Sequence, residues 1–111
     1  MRFHKGSFYI QKYDNRTDSK DIYKFEGYVF EKVTGWIDET GEYGFHKFSP
    51  TVWKATDLKT GAAIVSCPTR KECAAFIEGK QEEIKFARTL VSNVVARQRM
   101  NSFLLKFGMN I

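Results

Sequence analysis

Thr69-Arg70-Lys71-Glu72-Cys73-Ala74-Ala75-Phe76-Ile77 opens a helical region that apolar spacing carries on to about residue 107. Pro68 stands just before it. A Thr followed three residues later by Glu is a capping box: the hydroxyl accepts from the N–H three residues on, and the Glu side chain reaches back. Beyond it Cys73, Phe76, Ile77, Ile84, Ala87, Val91, Val94 and Val95 fall on one face at about 100° per residue. The phase survives Gly79. A helical Gly costs about 1 kcal/mol relative to Ala, so Gly79 marks a place for a kink.

Length adds a constraint. Unbroken helix over 69–107 would run about 58 Å at ~1.5 Å per residue. A compact chain of this size has a radius of gyration of about 13 Å. The region therefore breaks, at Gly79 or near Met100-Asn101-Ser102, or its overhang packs on a second subunit. A break near Asn101 is expected, followed by a short terminal turn carrying Phe103, Leu104 and Phe107. On that reading the core helix ends near Val95. The basic and apolar residues from Arg97 to Ile111 are then where a partner is sought. The helix length and its apolar end favour a homodimer.

The residues before the helix read as strands. Residues 2–13 alternate, with Phe8 and Ile10 against Tyr9, Gln11 and Tyr13. Asp14 to Lys20 are turn formers. Residues 21–37 read as one long strand with Tyr23, Phe25, Val29 and Val33 on a common face, and Gly27 as a bulge. Asp38-Glu39-Thr40-Gly41 is a hairpin turn, then residues 42–48 set Tyr43 and Phe45 against Gly44 and His46. Pro50 interrupts before a strand over 51–57. Leu58-Lys59-Thr60-Gly61 closes a hairpin, with Gly61 suited to a left-handed position, and 62–67 is the fifth strand. The order is βββββα: an α+β chain in which an antiparallel meander of about five strands (1–67) packs against a C-terminal helical region (69–107). Trp36 and Trp53 belong to the core or its rim. At 111 residues the chain suits a single domain.

Net charge is +5, unevenly placed. Residues 14–42 hold eight acidic and four basic side chains, whereas no acidic residue follows Glu83. Lys85, Arg88, Arg97, Arg99 and Lys106 do follow it, and form the candidate surface for a protein partner or nucleic acid. On a continuous helix all of them but Arg97 project to one side, next to the apolar stripe. The plain alternative is that cations suit a helix C-terminal half. There is no apolar run near ~18 residues, so no membrane span is expected. Met1-Arg2-Phe3-His4-Lys5 is followed by no apolar stretch. With two cysteines and no signal peptide expected, a reducing, cytoplasmic setting is expected.

Motifs for chemistry are sparse. Cys67 and Cys73 lack metal-ligand spacing, and His4 and His46 do not supply it. Cys67 or His46 in a nucleophile pair ranks lowest among the functions considered. Asp38, Glu39 and Glu42 cluster at a hairpin tip, where carboxylates are usually a solvated cap. No Gly-rich phosphate loop is present, and no metal or other cofactor is expected. Gly27-Tyr28-Val29-Phe30 resembles in part the aromatic segment of RNA-recognition motifs. Its neighbours Glu26 and Glu31 are acidic, the βαββαβ order is absent, and most of the rings are expected in the core.

Trp53-Lys54-Ala55-Thr56-Asp57-Leu58-Lys59-Thr60-Gly61, followed by Thr69-Arg70-Lys71-Glu72, resembles the hairpin-then-helix ending of small proteins of phages and other mobile elements. Anti-CRISPR proteins, which inhibit host defence, are among them. The resemblance implies a non-enzymatic inhibitor that blocks a protein or ribonucleoprotein, such as a CRISPR nuclease, by steric occlusion. The positive charge runs against a DNA mimic, which needs an acidic surface. The alternative is a nucleic-acid-binding module using the basic C-terminal helix.

Overall fold

Period-two alternation yields six strands: β1 (Phe3–Lys12), β2 (Ile22–Phe25), β3 (Tyr28–Asp38), β4 (Tyr43–Ser49), β5 (Val52–Asp57) and β6 (Ala62–Cys67). Helices α1 (Arg70–Gly79), α2 (Gln81–Ala87) and α3 (Val91–Phe107) follow. The structure, a computed structural model, describes residues 1–12, 22–25 and 28–107. The strands form one antiparallel sheet in the order β1-β3-β4-β5-β6, with β2 also paired to β3. The α+β class and the antiparallel meander are as the sequence predicts. The strand expected over 21–37 is instead two. Phe25 lies opposite Tyr28, so the chain reverses there. Tyr23 then faces Tyr9 and Phe103, and does not share a face with Val29 and Val33. Tyr13, the 14–20 loop and the Gly27 bulge lie outside the described residues.

Residues opposite one another on adjacent strands share a face. Phe3, Tyr9 and Gln11 therefore point the same way as Phe30, Trp36, Phe45 and Ala55. The helices cover this face in two places. α1 and α2 lay Cys73, Ala74, Ile77 and Ile84 on Tyr43, Phe45 and Ala55, with Phe3, Trp36 and Trp53 packed around them. α3 lays Met100 and Phe103 on Tyr9 and Phe30.

The other face closes on itself. Phe8, Ile10, Ile37 and Leu58 form a buried cluster in which no helical residue takes part. The sheet curls to make it. β3 and β4 pair only at Trp36–Phe45 and Ile37–Gly44. The Phe8 and His46 rings lie 6.0 Å apart although β1 and β4 are not neighbours. The Gln11 N–H donates to the Gly61 carbonyl at 3.0 Å, tying β1 to the β5–β6 turn. Gly35 permits the curl: a Cβ there would lie 2.1 Å from the Phe45 carbonyl oxygen. Gly61 has φ +76°, the left-handed conformation its hairpin position requires.

Thr69 caps α1 as predicted, its Oγ1 accepting from the Glu72 N–H at 3.1 Å. The region then breaks twice, and not at Asn101, which lies inside α3. The first break follows Gly79, where the Gln81 side-chain amide donates to the Ile77 carbonyl at 2.8 Å. The second is at Thr89–Leu90. There the Thr89 hydroxyl donates to the Phe86 carbonyl at 2.6 Å and the Asn93 amide donates to the Ala87 carbonyl at 2.7 Å. These side chains satisfy carbonyls that a helix end leaves open. Three short helices can follow a curled sheet where one long rod cannot. α3 is about 26 Å long at ~1.5 Å per residue, within the longest dimension of 34 Å. The overhang that favoured a homodimer is therefore gone. So is the division of the region near Val95: Val91, Val94 and Val95 are exposed, while Met100 and Phe103 beyond them are buried.

A Cβ at Gly79 would meet nothing within 4 Å. Gly79→Ala should therefore restrict the unfolded chain without strain in the folded one, a gain of about 0.4–1 kcal/mol. A urea melt of the variant checks this; an unchanged or lower midpoint would show that the α1–α2 bend needs glycine.

Candidate functional site

The two cysteines are neighbours, but His46 does not join them. Cys67 lies opposite Trp53, on the helical face, and Cys73 is buried there with its thiol on the Trp53 carbonyl at 3.6 Å. Burial, followed by the neighbouring Cys67, pushes the Cys73 thiol up to about 11. His46 lies opposite Lys54, on the other side of the sheet from both cysteines. Asp38, at the β3–β4 hairpin, is buried and not the solvated cap the sequence suggests. Its carboxylate accepts from the N–H groups of Glu42 and Tyr43 at 3.0 and 2.9 Å and from the Thr40 hydroxyl at 2.6 Å, so it builds the turn. Among the described residues no three His, Cys, Asp or Glu side chains converge as a metal-binding set.

His46 is buried against Phe8, and among the described residues its Nδ1 has no hydrogen-bond partner. Burial lowers its pKa below 6.5, Lys54 and Lys12 lower it further, and Glu31 partly opposes them. Between the folded pKa and 6.5 the unfolded chain binds more protons, so stability falls as pH drops through that window. His46→Phe should remove this loss. Urea melts at about pH 7 and about pH 5 should show the variant gaining on the parent as pH falls. A constant difference would place the titration elsewhere.

The five cations singled out in the sequence part company. Arg88, at the end of α2, is committed inward: its Nε donates to Asp57 at 2.9 Å and its Nη1 lies 3.5 Å from Glu42. Arg99 is half-buried over the Tyr28 ring, 3.3 Å from its centroid, and its Nη1 donates to the Gln11 side-chain oxygen at 3.4 Å. Lys85, Arg97 and Lys106 are exposed. Lys85 is 3.7 Å from Glu82, an exposed pair. The breaks in the helical region remove the common side these residues share on one rod. The aromatic strand is also turned inward: Phe30 stacks on Phe103 with centroids 4.1 Å apart, and Tyr28 lies beneath Arg99.

An exposed apolar surface replaces that basic stripe. Phe86 is 68% exposed and Val91 79%, and Leu90, Val94 and Val95 lie exposed with them at the α2–α3 corner. Leu105, further along α3, is 85% exposed. At 100° per residue Val91, Val94, Val95 and Leu105 share the side of α3 turned away from Met100 and Phe103. A sequence reading assigns Val91, Val94 and Val95 to the core because their phase continues from α1. The polar pair Thr89 and Asn93 is the signal that the phase is interrupted.

A groove of about 410 Å³ opens beside this corner, between the first half of β6 and the helices. Ala62 and Ile64 line its strand side, and Phe76, Ile84 and Ala87 its helical side. Lys80 and Glu83 stand among its lining, one of each sign.

Comparison with models of known families, with curated proteins and with solved structures finds no match. Among the described residues no helix is long and apolar enough to cross a membrane.

Proposed function

We propose that this chain is a non-enzymatic binding protein that occludes the surface of a protein or ribonucleoprotein partner through the α2–α3 corner. The observation that carries this reading is the exposure of Phe86, Leu90, Val91, Val94 and Val95 within one short segment. Folded chains seldom leave large apolar side chains together in water without a partner for them. Lys85 and Arg97 provide a basic rim, so the complementary surface is apolar with acidic margins. The resemblance to anti-CRISPR proteins makes an RNA-guided nuclease the target class to test.

The test is titration of the protein into DNA-cleavage reactions of a panel of purified RNA-guided nucleases. A nuclease is expected to slow, and Phe86→Ser with Val91→Asp should relieve the block while leaving the thermal melt unchanged. If no nuclease slows, the target class is wrong. If the double variant inhibits as well as the parent, the α2–α3 corner is not the contact.

The exposed cations Lys85, Arg97 and Lys106, with no acidic residue after Glu83, support direct nucleic-acid binding as a second reading. Its signature is affinity that falls steeply with salt, with a log–log slope of about −0.9 per phosphate neutralised on duplex DNA. Gel shifts at low salt showing no complex with single or double strands would remove it.

A further inference from the structure

We propose that Cys67 and Cys73 form an oxidation site, a dithiol that hydroperoxides convert to a disulfide tying the end of β6 to the start of α1. Cys67 is the last residue of β6, and Cys73 lies in the first turn of α1. Trp53 brings the two together. Cys67 stands directly opposite it on the adjacent strand, and the Cys73 thiol donates to its carbonyl at 3.6 Å. Both cysteines belong to the cluster that Phe45, Ala55 and Ile77 build beneath α1. Burial first, then the neighbouring Cys67, raises the Cys73 pKa, so the thiols are close enough to feel one another's charge. Among the described residues no His, Asp or Glu joins them in a metal-binding set.

Unequal access orders the steps. Cys67 is half-buried and Cys73 is buried. Oxidation follows exposure and thiolate character, so a hydroperoxide meets Cys67 first. Cys67 gives its proton to solvent and attacks the terminal peroxide oxygen. An S–O bond forms and the O–O bond breaks, and the departing alkoxide takes a proton from solvent and leaves as an alcohol. Cys67 is then a sulfenic acid, which condenses with a nearby thiol. Cys73 attacks the Cys67 sulfur: an S–S bond forms, the S–O bond breaks, and the leaving hydroxide takes the Cys73 proton as water. Two thiols are oxidised, and one hydroperoxide is reduced to alcohol and water. A small dithiol reverses the change by thiol–disulfide exchange.

The disulfide closes the loop 67–73, which contains Pro68 and the Thr69 cap. The start of α1 is then fixed covalently to the sheet, and the Cys73 hydrogen bond to the Trp53 carbonyl is given up. A disulfide between two copies fits poorly, because Cys67 shares the helical side of the sheet with Trp53 and packs against the chain's own core. Neither cysteine belongs to the α2–α3 corner, so the inference is independent of the occlusion reading.

The test treats the reduced full chain, at high dilution, with a small excess of hydrogen peroxide and reads the product by mass. The intact chain should lose two hydrogens. After trypsin, the peptides Thr60–Arg70 and Glu72–Lys80 should be joined, and dithiothreitol should separate them. Hydrogen exchange over 70–77 should slow in the oxidised chain. Cys73→Ala should stop at a sulfenic acid that dimedone traps on Cys67, and Cys67→Ala should lose the reaction. A chain that ends as sulfinic or sulfonic acid on Cys67 without a disulfide, that forms disulfides only between copies, or that stays unreacted where a free cysteine is oxidised would overturn the inference. The mass of the unsubstituted chain decides by itself, so a variant that fails to fold leaves the test intact.

Discussion

Phe103→Ala is expected to lower stability by about 3–5 kcal/mol, the range for a fully buried aromatic cut back to a methyl group. Phe103 is 0% exposed. It stacks on Phe30 and meets the edges of Tyr9 and Tyr23, with centroids 5.4 and 5.8 Å away. With Met100 it holds α3 on the sheet. A domain of this kind has about 5–15 kcal/mol in all, so the variant should melt far below the parent. Its damage should also be local first, with hydrogen exchange in α3 accelerating before that in β4 and β5. A loss under about 1 kcal/mol would show that α3 is held by something other than this aromatic cluster.

Asp57→Ala should cost a similar amount, about 3–5 kcal/mol, for an electrostatic reason. Asp57 ends β5, is buried, and accepts from the Lys59 N–H at 3.0 Å and from Arg88 at 2.9 Å. Burial works against the Arg88 charge, but the hydrogen bond and charge of Asp57 outweigh it and raise the Arg88 pKa. Removing Asp57 leaves a largely buried guanidinium with Glu42, at 3.5 Å, and the Tyr43 ring, whose centroid is 5.5 Å away. Removing both charges is a smaller insult, because an apolar pair needs no compensation. Asp57→Ala with Arg88→Met should therefore be more stable than Asp57→Ala alone. Because the pair is shielded, added salt should change the single variant's loss little. A loss of less than about 1 kcal/mol, or one erased by moderate salt, would mark Arg88 as a surface cation after all.

Much of the fold is readable from local signals. The left-handed Gly61 turn, the Thr69 cap and the alternation in β1 each depend on a few neighbouring residues, and each is found where the sequence places it. The second strand fails because alternation runs on through a reversal, so Tyr23 and Val29 look alike in one dimension and lie on opposite faces in three. The break after Gly79 is at one of the two places the sequence offers, but the one at Thr89 is missed, and Asn101 preferred, for a related reason. Apolar phase is a property of a straight rod, and the rod is bent by a sheet whose curl depends on Gly35 meeting the Phe45 carbonyl. The candidate site is harder still. Arg88 and Arg99 look like neighbours of Lys85 and Arg97, yet their partners Asp57, Tyr28 and Gln11 are distant in sequence. No local pattern announces those pairings.

Gln11 carries a consequence for how the chain is born. Its main-chain N–H reaches Gly61, and its side-chain amide reaches the carbonyls of Thr60 and Ala96. The last of these partners is 85 residues away. At about 5–20 residues per second of synthesis, β1 waits on the order of 4–17 s for α3 to be made. During that interval Tyr9 and Phe30 have no Phe103 to cover them, so the nascent chain presents an apolar, strand-rich surface. Shielding of this first half is expected to matter until α3 leaves the ribosome.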